Sequence, residues 1–305
     1  MKRRDFIKHG GTLALAAGLM PSLLQSCTAQ DLQLTILHTN DMHSRIEPFP
    51  ANSGRNSGMG GMARRAAMVN KIRSEVPNVL LLDSGDVFQG TPYFNFFGGE
   101  LEFKLMSEMG YDASTLGNHD FDNGLEGLDR MLPNANFPFL NANYDFSQTI
   151  LKDRFKPYKV IQKGPIKVGI FGLGIELQNL VPEKLYKETK YGDPVEAAKE
   201  MVQELKGQGC ELIICLSHLG FKYDGDKIDD HKLAEAVSGI DLILGGHTHS
   251  FLEEPQRYTN AQGFETVINQ VGWAGIYLGR IDVTFAAGGS KQLSSALMPV
   301  IPTIT

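Results

Sequence analysis

GNHDFDNG, residues 117–124, sets a histidine between an asparagine and an aspartate, with a second aspartate three positions after the histidine. Glycine at both ends suits a tight turn, and Asn and Asp are turn formers through hydrogen bonds to their own backbone. The same polar groups also suit a reaction centre, and the flanking sequence decides between the two. Upstream, LTILHTNDMH (34–43) runs into Asp41 and His43, and VLLLDSGD (79–86) ends in Asp86. Downstream, ELIICLSHLG (211–220) delivers His218, and IDLILGGHTH (240–249) delivers His247 and His249. Runs of Leu, Ile and Val that stop in Gly, Asp, Asn or His read as buried strands entering loops.

Between these runs lie segments with helical period. GGMARRAAMVNKIRSEVPN (60–78) closes at a proline, ELEFKLMSEMGYD (100–112) ends at Gly110, and DPVEAAKEMVQELKGQGC (193–210) opens with an Asp-Pro cap and stops at Gly207. FPFLNANY, IKVGIFGLG and ETVINQVGWAG continue the strand series, and Tyr277 to Phe285 alternates like a half-buried strand entering a hairpin connection, AAGGSKQ. The alternation of strand and helix predicts an α/β fold with sheets covered by helices. Glu47 to Gly61 is expected to be a long loop beside the polar strand ends. No linker rich in Pro or Ser divides residues 28–305, which are expected to form a single domain.

The chain has 305 residues, 42% hydrophobic and 21% charged, which is ordinary for a globular protein and argues against disorder or a membrane-spanning bundle. A net charge of -6 without a basic patch argues against nucleic acid as the main partner. MKRRDFIKHGGTLALAAGLMPSLLQSC (1–27) has a basic start and an apolar stretch too short to span a bilayer, which predicts an export signal. Arg3-Arg4 followed by DFIK resembles the twin-arginine motif, and LLQSC resembles a lipobox with Cys27 as the lipidated residue. The protein is therefore expected to be a membrane-anchored lipoprotein facing the periplasm or cell exterior. Cys210 and Cys215 are expected to be inert core thiols on opposite faces of a strand.

Asp41/His43 and His247/His249 are i, i+2 pairs that on an extended backbone project to one side, so each pair is expected to grip one metal region. Carboxylate, imidazole and amide oxygen together suit divalent ions such as Zn, Mn or Fe. The donors outnumber the needs of one tetrahedral zinc and suit two ions sharing a carboxylate bridge. The aromatics Phe88, Tyr93, Phe94, Phe96 and Phe97 are expected to pack mostly in the core.

Taken in order, Asp41-x-His43, Gly85-Asp86, GNHD (117–120), His218 and GGHTH (245–249) resemble the calcineurin-like metallophosphoesterases. More narrowly, ILHTNDMH, GDVFQGTPYF, MGYDASTLGNHDFDNG and SHLG resemble the N-terminal catalytic domain of bacterial 5'-nucleotidases, over about residues 32 to 285. The resemblance implies a four-layer α-β-β-α sandwich with the site at the strand C-termini. It implies one metal held by Asp41, His43 and His249, another by Asn118, His218 and His247, and Asp86 bridging both. It makes His119 and Asp122 the catalytic dyad, while Asp120, where the family commonly has Glu, is expected to have a supporting role. The implied reaction is hydrolysis of nucleotides by a water activated at the two metals. Cyclic-nucleotide phosphodiesterase, sulfur-ester hydrolase and non-catalytic metal-holding lipoprotein subunit are the alternatives. The nucleotide-specificity domain that usually follows has no counterpart before Thr305, so a separately encoded partner domain or a less selective phosphomonoesterase is expected.

Overall fold

Most of the apolar runs form strands buried on both faces, because each lies between a second sheet and a layer of helices. The computed structural model describes residues 32–286 and 290–302. The expected export segment and Cys27 lie outside the described residues, as do residues 287–289 of the hairpin connection.

In chain order the first part contains β1 (Leu32–Thr39), α1 (Met62–Glu75), β2 (Val79–Asp83), α2 (Pro92–Phe97), α3 (Glu100–Met109), β3 (Ala113–Thr115), α4 (Gly124–Met131), β4 (Phe139–Leu140) and β5 (Tyr144–Asp145). The middle contains β6 (Tyr158–Lys163), β7 (Ile166–Leu173), α5 (Glu183–Tyr186), β8 (Lys190–Tyr191), α6 (Pro194–Gly207), β9 (Leu212–Ser217), α7 (Asp230–Ala236) and β10 (Leu242–Gly245). The last part contains β11 (Gln256–Thr259), β12 (Glu265–Asn269), β13 (Tyr277–Phe285) and β14 (Lys291–Pro299).

Two six-stranded sheets result, ordered β14-β13-β1-β2-β3-β4 and β11-β12-β10-β9-β7-β6. Strands β1 to β4 are parallel, as are β7, β9, β10 and β12, and antiparallel strands close the remaining edges. Side-chain alternation sorts the core into three layers. Leu34, Ile36, Leu80 and Leu82 of the first sheet meet Val168, Ile170, Ile214, Leu216, Leu242 and Leu244 of the second. On the outer face of the first sheet, Leu37 and Leu81 pack against Val69, Phe103, Met106 and Leu128 of α1, α3 and α4. On the outer face of the second, Ile213, Cys215 and Ile243 pack against Ala198, Val202 and Leu233 of α6 and α7. This is the expected four-layer α-β-β-α sandwich.

Local chemistry sets the helix limits. Asp193 Oδ1 accepts from the backbone N–H of Val195 at 2.8 Å and of Glu196 at 3.3 Å, with Pro194 in the first turn. Two expectations need correction. Cys215 is a buried thiol of β9, but Cys210 lies before that strand and is only half-buried; both are free. The aromatics also divide: Phe88 and Phe94 are core, whereas Phe96 is 82% and Phe97 48% exposed. A helix of six residues has one buried face, and in α2 only Phe94 occupies it.

Candidate metal centre

Parallel strands end at the same edge of each sheet, so the loops after β1, β2, β3, β9 and β10 gather there. These loops carry Asp41 and His43, Asp86, Asn118 with His119 and Asp122, His218, and His247 with His249. The backbone that presents them is not extended, contrary to expectation. Asp41 (φ 51°), His43 (47°), Asp86 (56°), His247 (70°) and His249 (52°) are all left-handed. Non-glycine residues are uncommon in that region, with Asn, Asp and His the best tolerated, so the residue types that ligate also suit the turn.

Among the described residues two groups of carboxylate and imidazole have ligand atoms mutually within 4.8 Å: Asp41, His43 and His249, and Asp86, His218 and His247. Asp41 and His43 thus act together as their spacing predicts, while His247 and His249 part company, one to each group, against the spacing argument and in line with the family resemblance. Asn118 joins the second, its Oδ1 2.8 Å from His247 Nδ1. Asp86 Oδ2 lies 3.1 Å from His218 Nε2 and 4.0 Å from His43 Nε2, between the groups. Asp41 Oδ1 is 3.3 Å from His249 Nε2. His119 sits at the rim, its ring centroid 5.3 Å from that of His43, and its Nδ1 is 2.9 Å from Asp122 Oδ2.

The loops are locked by residues that carry no ligand atom. The buried Asp120 carboxylate accepts from four backbone N–H groups, those of Gly117 (2.8 Å), Asp86 (3.1 Å), Val87 (3.0 Å) and Phe88 (3.3 Å). This is the expected supporting role, and it ties the Asp86 loop to the His119 loop. Asn40 donates to Asp41 Oδ2 and to the Gly272 carbonyl, both at 2.6 Å, and accepts from Val271 N–H. Buried Gln270 donates to the Gly246 carbonyl at 2.6 Å and accepts from Thr248 Oγ1 and Ser250 N–H, clamping the loop of His247 and His249. Sequence reading missed Asn40, Gln270 and Trp273; the last stacks on His249 at 5.8 Å and 10°. Only Asn40 left a signal, as an Asx residue where a strand turns.

Backbone approach is as tight as the side-chain packing. A Cβ at Gly117 would stand 2.1 Å from Asp86 Oδ1, and one at Gly246 would stand 2.8 Å from His218 Nδ1. Burial works against charge on both Asp86 and His218, yet their mutual attraction prevails and holds the carboxyl below its usual range and the imidazole up at about 10. Burial dominates at His247 and lowers it to about 4. The hydrogen bond to Asp122 raises His119 above an ordinary histidine, against the effect of burial.

The donor set fits a pair of divalent ions. His218 Nε2 is buried and lies 3.1 Å from a carboxylate oxygen without hydrogen-bond alignment, and the Nε2 atoms of His43 and His249 face each other at 3.0 Å. Metal ions can take the place of protons among these crowded nitrogens and carboxylate oxygens, and the mix of nitrogen and oxygen suits a borderline-to-hard divalent metal. The fold and the two ligand groups together support a dinuclear divalent metal centre.

Comparison with known proteins agrees with this geometry. A family model described as calcineurin-like phosphoesterase matches residues 34–251. The snake venom 5'-nucleotidase of Gloydius brevicauda is 38% identical over 294 residues, 88% of this chain and 48% of that protein. The solved 5'-nucleotidase precursor from Thermus thermophilus superimposes with a TM-score of 0.78 at 34% identity, over 89% of this chain and 56% of that one. The NAD nucleotidase of Haemophilus influenzae gives 0.76 at 30% identity, over 88% and 51%. The chain spans about half the length of the curated relatives it matches. Its matched residues, its sandwich of two sheets and the ligand groups at their common edge place it in the calcineurin-like phosphoesterase family.

Proposed function

We propose that this chain is a metal-dependent phosphomonoesterase that acts on nucleotides. The observation that carries the proposal is the convergence of two ligand groups on one edge of the sandwich with the His119–Asp122 pair beside them. The 5'-nucleotidase relatives support the substrate class. In this reading Asp41, His43 and His249 hold one ion, Asn118, His218 and His247 the other, and Asp86 is shared. Bound divalent ions acidify water and neutralise phosphoryl oxygens. Zn or Mn suits the donors.

The chain's own residues supply the rest. Asp122 accepts the Nδ1 proton of His119, which fixes the tautomer and leaves Nε2 to face the substrate. Because Asp122 favours the protonated ring, Nε2–H can donate to a phosphoryl oxygen as charge spreads over that group, or to the departing alkoxide. Asn40 and Asp120 hold Asp41 and the Asp86 backbone in place, so little reorganisation accompanies the reaction.

The test is phosphate release by the purified chain from AMP, a cyclic nucleotide and an aryl phosphate, with Mn, Zn and Co in turn. Metal-dependent release from AMP is expected, and His119→Ala should keep its metal while turnover falls by about 10²–10⁴-fold. Full activity of His119→Ala with metal bound would overturn the assignment. We also propose that residues 28–305 are one catalytic domain, exported and anchored through lipid on Cys27. Cys27→Ser should then release the protein from the membrane fraction.

A further inference from the structure

We propose that Asp230 is a positioning residue of the metal centre, a clamp that joins the strand end carrying His218 to the strand end carrying His247. This inference rests on the reading above in which those two histidines hold one ion, and it adds the residue that keeps them in register. Asp230 opens α7 and is fully buried, whereas an aspartate is rarely taken out of solvent unless something pairs it. Capping of that helix falls to its neighbour: Asp229 accepts from the backbone N–H groups of Lys232 at 2.8 Å and Tyr223 at 2.9 Å. The Asp230 carboxyl is thus not spent on the helix start, and it turns inward to the strand ends.

Its contacts bracket His218. Ser217 Oγ donates to Asp230 Oδ1 at 2.5 Å, and the same hydroxyl accepts from the Leu219 N–H at 3.2 Å. The backbone N–H of Asp230 donates to the Gly220 carbonyl at 2.9 Å. Residues on both sides of His218 are therefore tied to the start of α7. The second carboxyl oxygen lies against β10, where a Cβ at Gly245 would stand 2.3 Å from Oδ2 and only glycine leaves it room. Gly245 is the register partner of Ser217 in the β9–β10 pair. One side chain thus spans two paired strand ends, one residue before His218 and two before His247.

His218 has little freedom to absorb a shift of that backbone. Its Nδ1 is 2.6 Å from the Ser84 carbonyl, and its Nε2 is 3.1 Å from Asp86 Oδ2. A displacement at Ser217 drives the imidazole against one of these neighbours or away from the other. Outer contacts that orient a metal ligand typically govern affinity by about 10–100-fold. The other group draws Asp41 and His43 from the loop after β1, and His249 from a segment that Gln270 clamps through Ser250. Its ion should not share the dependence on Asp230. Burial pushes the Asp230 carboxyl well above its ordinary range, against the hydrogen bond from Ser217, so an amide of the same shape is its nearest substitute.

The experiment titrates the metal-free full chain with cobalt(II), read by visible absorption and by metal analysis, for Asp230→Ala and Asp230→Asn in two backgrounds. In His249→Ala, which disables the first group, Asp230→Ala should weaken the remaining ion about 10–100-fold. Asp230→Asn, which keeps the acceptor for Ser217, should bring that affinity back close to the parent. In His247→Ala, which disables the second group, Asp230→Ala should leave the remaining ion as tightly held as before. Where Asp230→Ala fails to fold, Ser217→Ala cuts the same clamp at its other end and should reproduce the selective loss. Unchanged affinity in the His249→Ala background, or an equal fall in both backgrounds, would overturn the inference. No substrate enters the assay, so a selective loss in a protein that releases no phosphate from AMP would uphold the clamp and refute the proposed reaction. A wild type that takes up no second ion would overturn the clamp and the two-ion reading together.

Discussion

His38 is buried between the sheets, one residue before the end of β1, and should make stability fall steeply in mild acid. Its position in β1 follows Leu34 and Ile36 on the inner face, it is fully buried, and its Nε2 is 2.9 Å from Asn269 Nδ2 of β12 in the opposite sheet. The ring rests over Gly279, its partner in the β1–β13 register, where a Cβ would come within 2.1 Å of Nε2. Burial lowers its pKa from 6.5 to about 3. The sign follows directly. Above pH 6.5 both folded and unfolded chains hold a neutral His38, and no pH dependence arises from it. Between 6.5 and about 3 the unfolded chain binds a proton that the folded chain refuses, so stability drops as pH falls. The slope is about 1.4 kcal/mol per pH unit, which amounts to roughly 3 kcal/mol by pH 4.5. His38→Leu removes the slope but leaves the Asn269 amide unpaired, at a pH-independent cost of about 1–3 kcal/mol. Denaturant unfolding in EDTA, from pH 7.5 to 4.5, should show the wild type more stable at the upper end and the difference shrinking to nothing or reversing at the lower. Parallel curves, with the same gap at every pH, would refute the reasoning.

Two further substitutions probe the loops. Asp120→Ala strips the acceptor from four buried N–H groups and should cost at least about 3 kcal/mol in denaturant unfolding, whereas an exposed aspartate such as Asp224 should cost almost nothing. Gly117→Ala forces a methyl against Asp86 Oδ1 and should weaken metal binding by about 10–100-fold in a titration followed by metal analysis, with the far-ultraviolet spectrum retained. Wild-type affinity in Gly117→Ala would mean that Asp86 is not held where its shared role requires.

Fold and site were legible to different depths. Helix-covered sheets followed from the alternation of apolar runs such as VLLLD and LIICLS with helical segments, whereas the stacking of two sheets into four layers came from the family resemblance. Caps were equally plain: Asp193-Pro194 and Gly110 stand where the sequence put them. The identity of the polar residues at the strand ends was readable because carboxylate and imidazole recur after each run. Their partition was not legible in the spacing and came only from the family resemblance. His247 and His249 separate because both take left-handed conformations, and a single sequence carries no mark of φ at an aspartate or histidine. Gln270 was invisible for another reason. Its value lies in three hydrogen bonds to a loop twenty or more residues away, and glutamine has no local preference that announces such a contact. The exposed face of α2 was misread because apolar content was taken for burial, while Gly98 and Gly99 cut the helix too short to bury more than Phe94.

The two ligand groups each draw on both sheets, and this has a consequence for the order of events during synthesis. The first group reaches from Asp41 to His249 and the second from Asp86 to His247, so neither is complete in any early fragment. A chain emerging from the ribosome can finish β1 to β9 and still possess no full set. Loading of either ion must wait until the loop after β10 has been made, when the two sheets have already had the opportunity to find each other. Ions captured at that moment close a seam rather than seed a fold, and a chain stalled before His247 should be released empty.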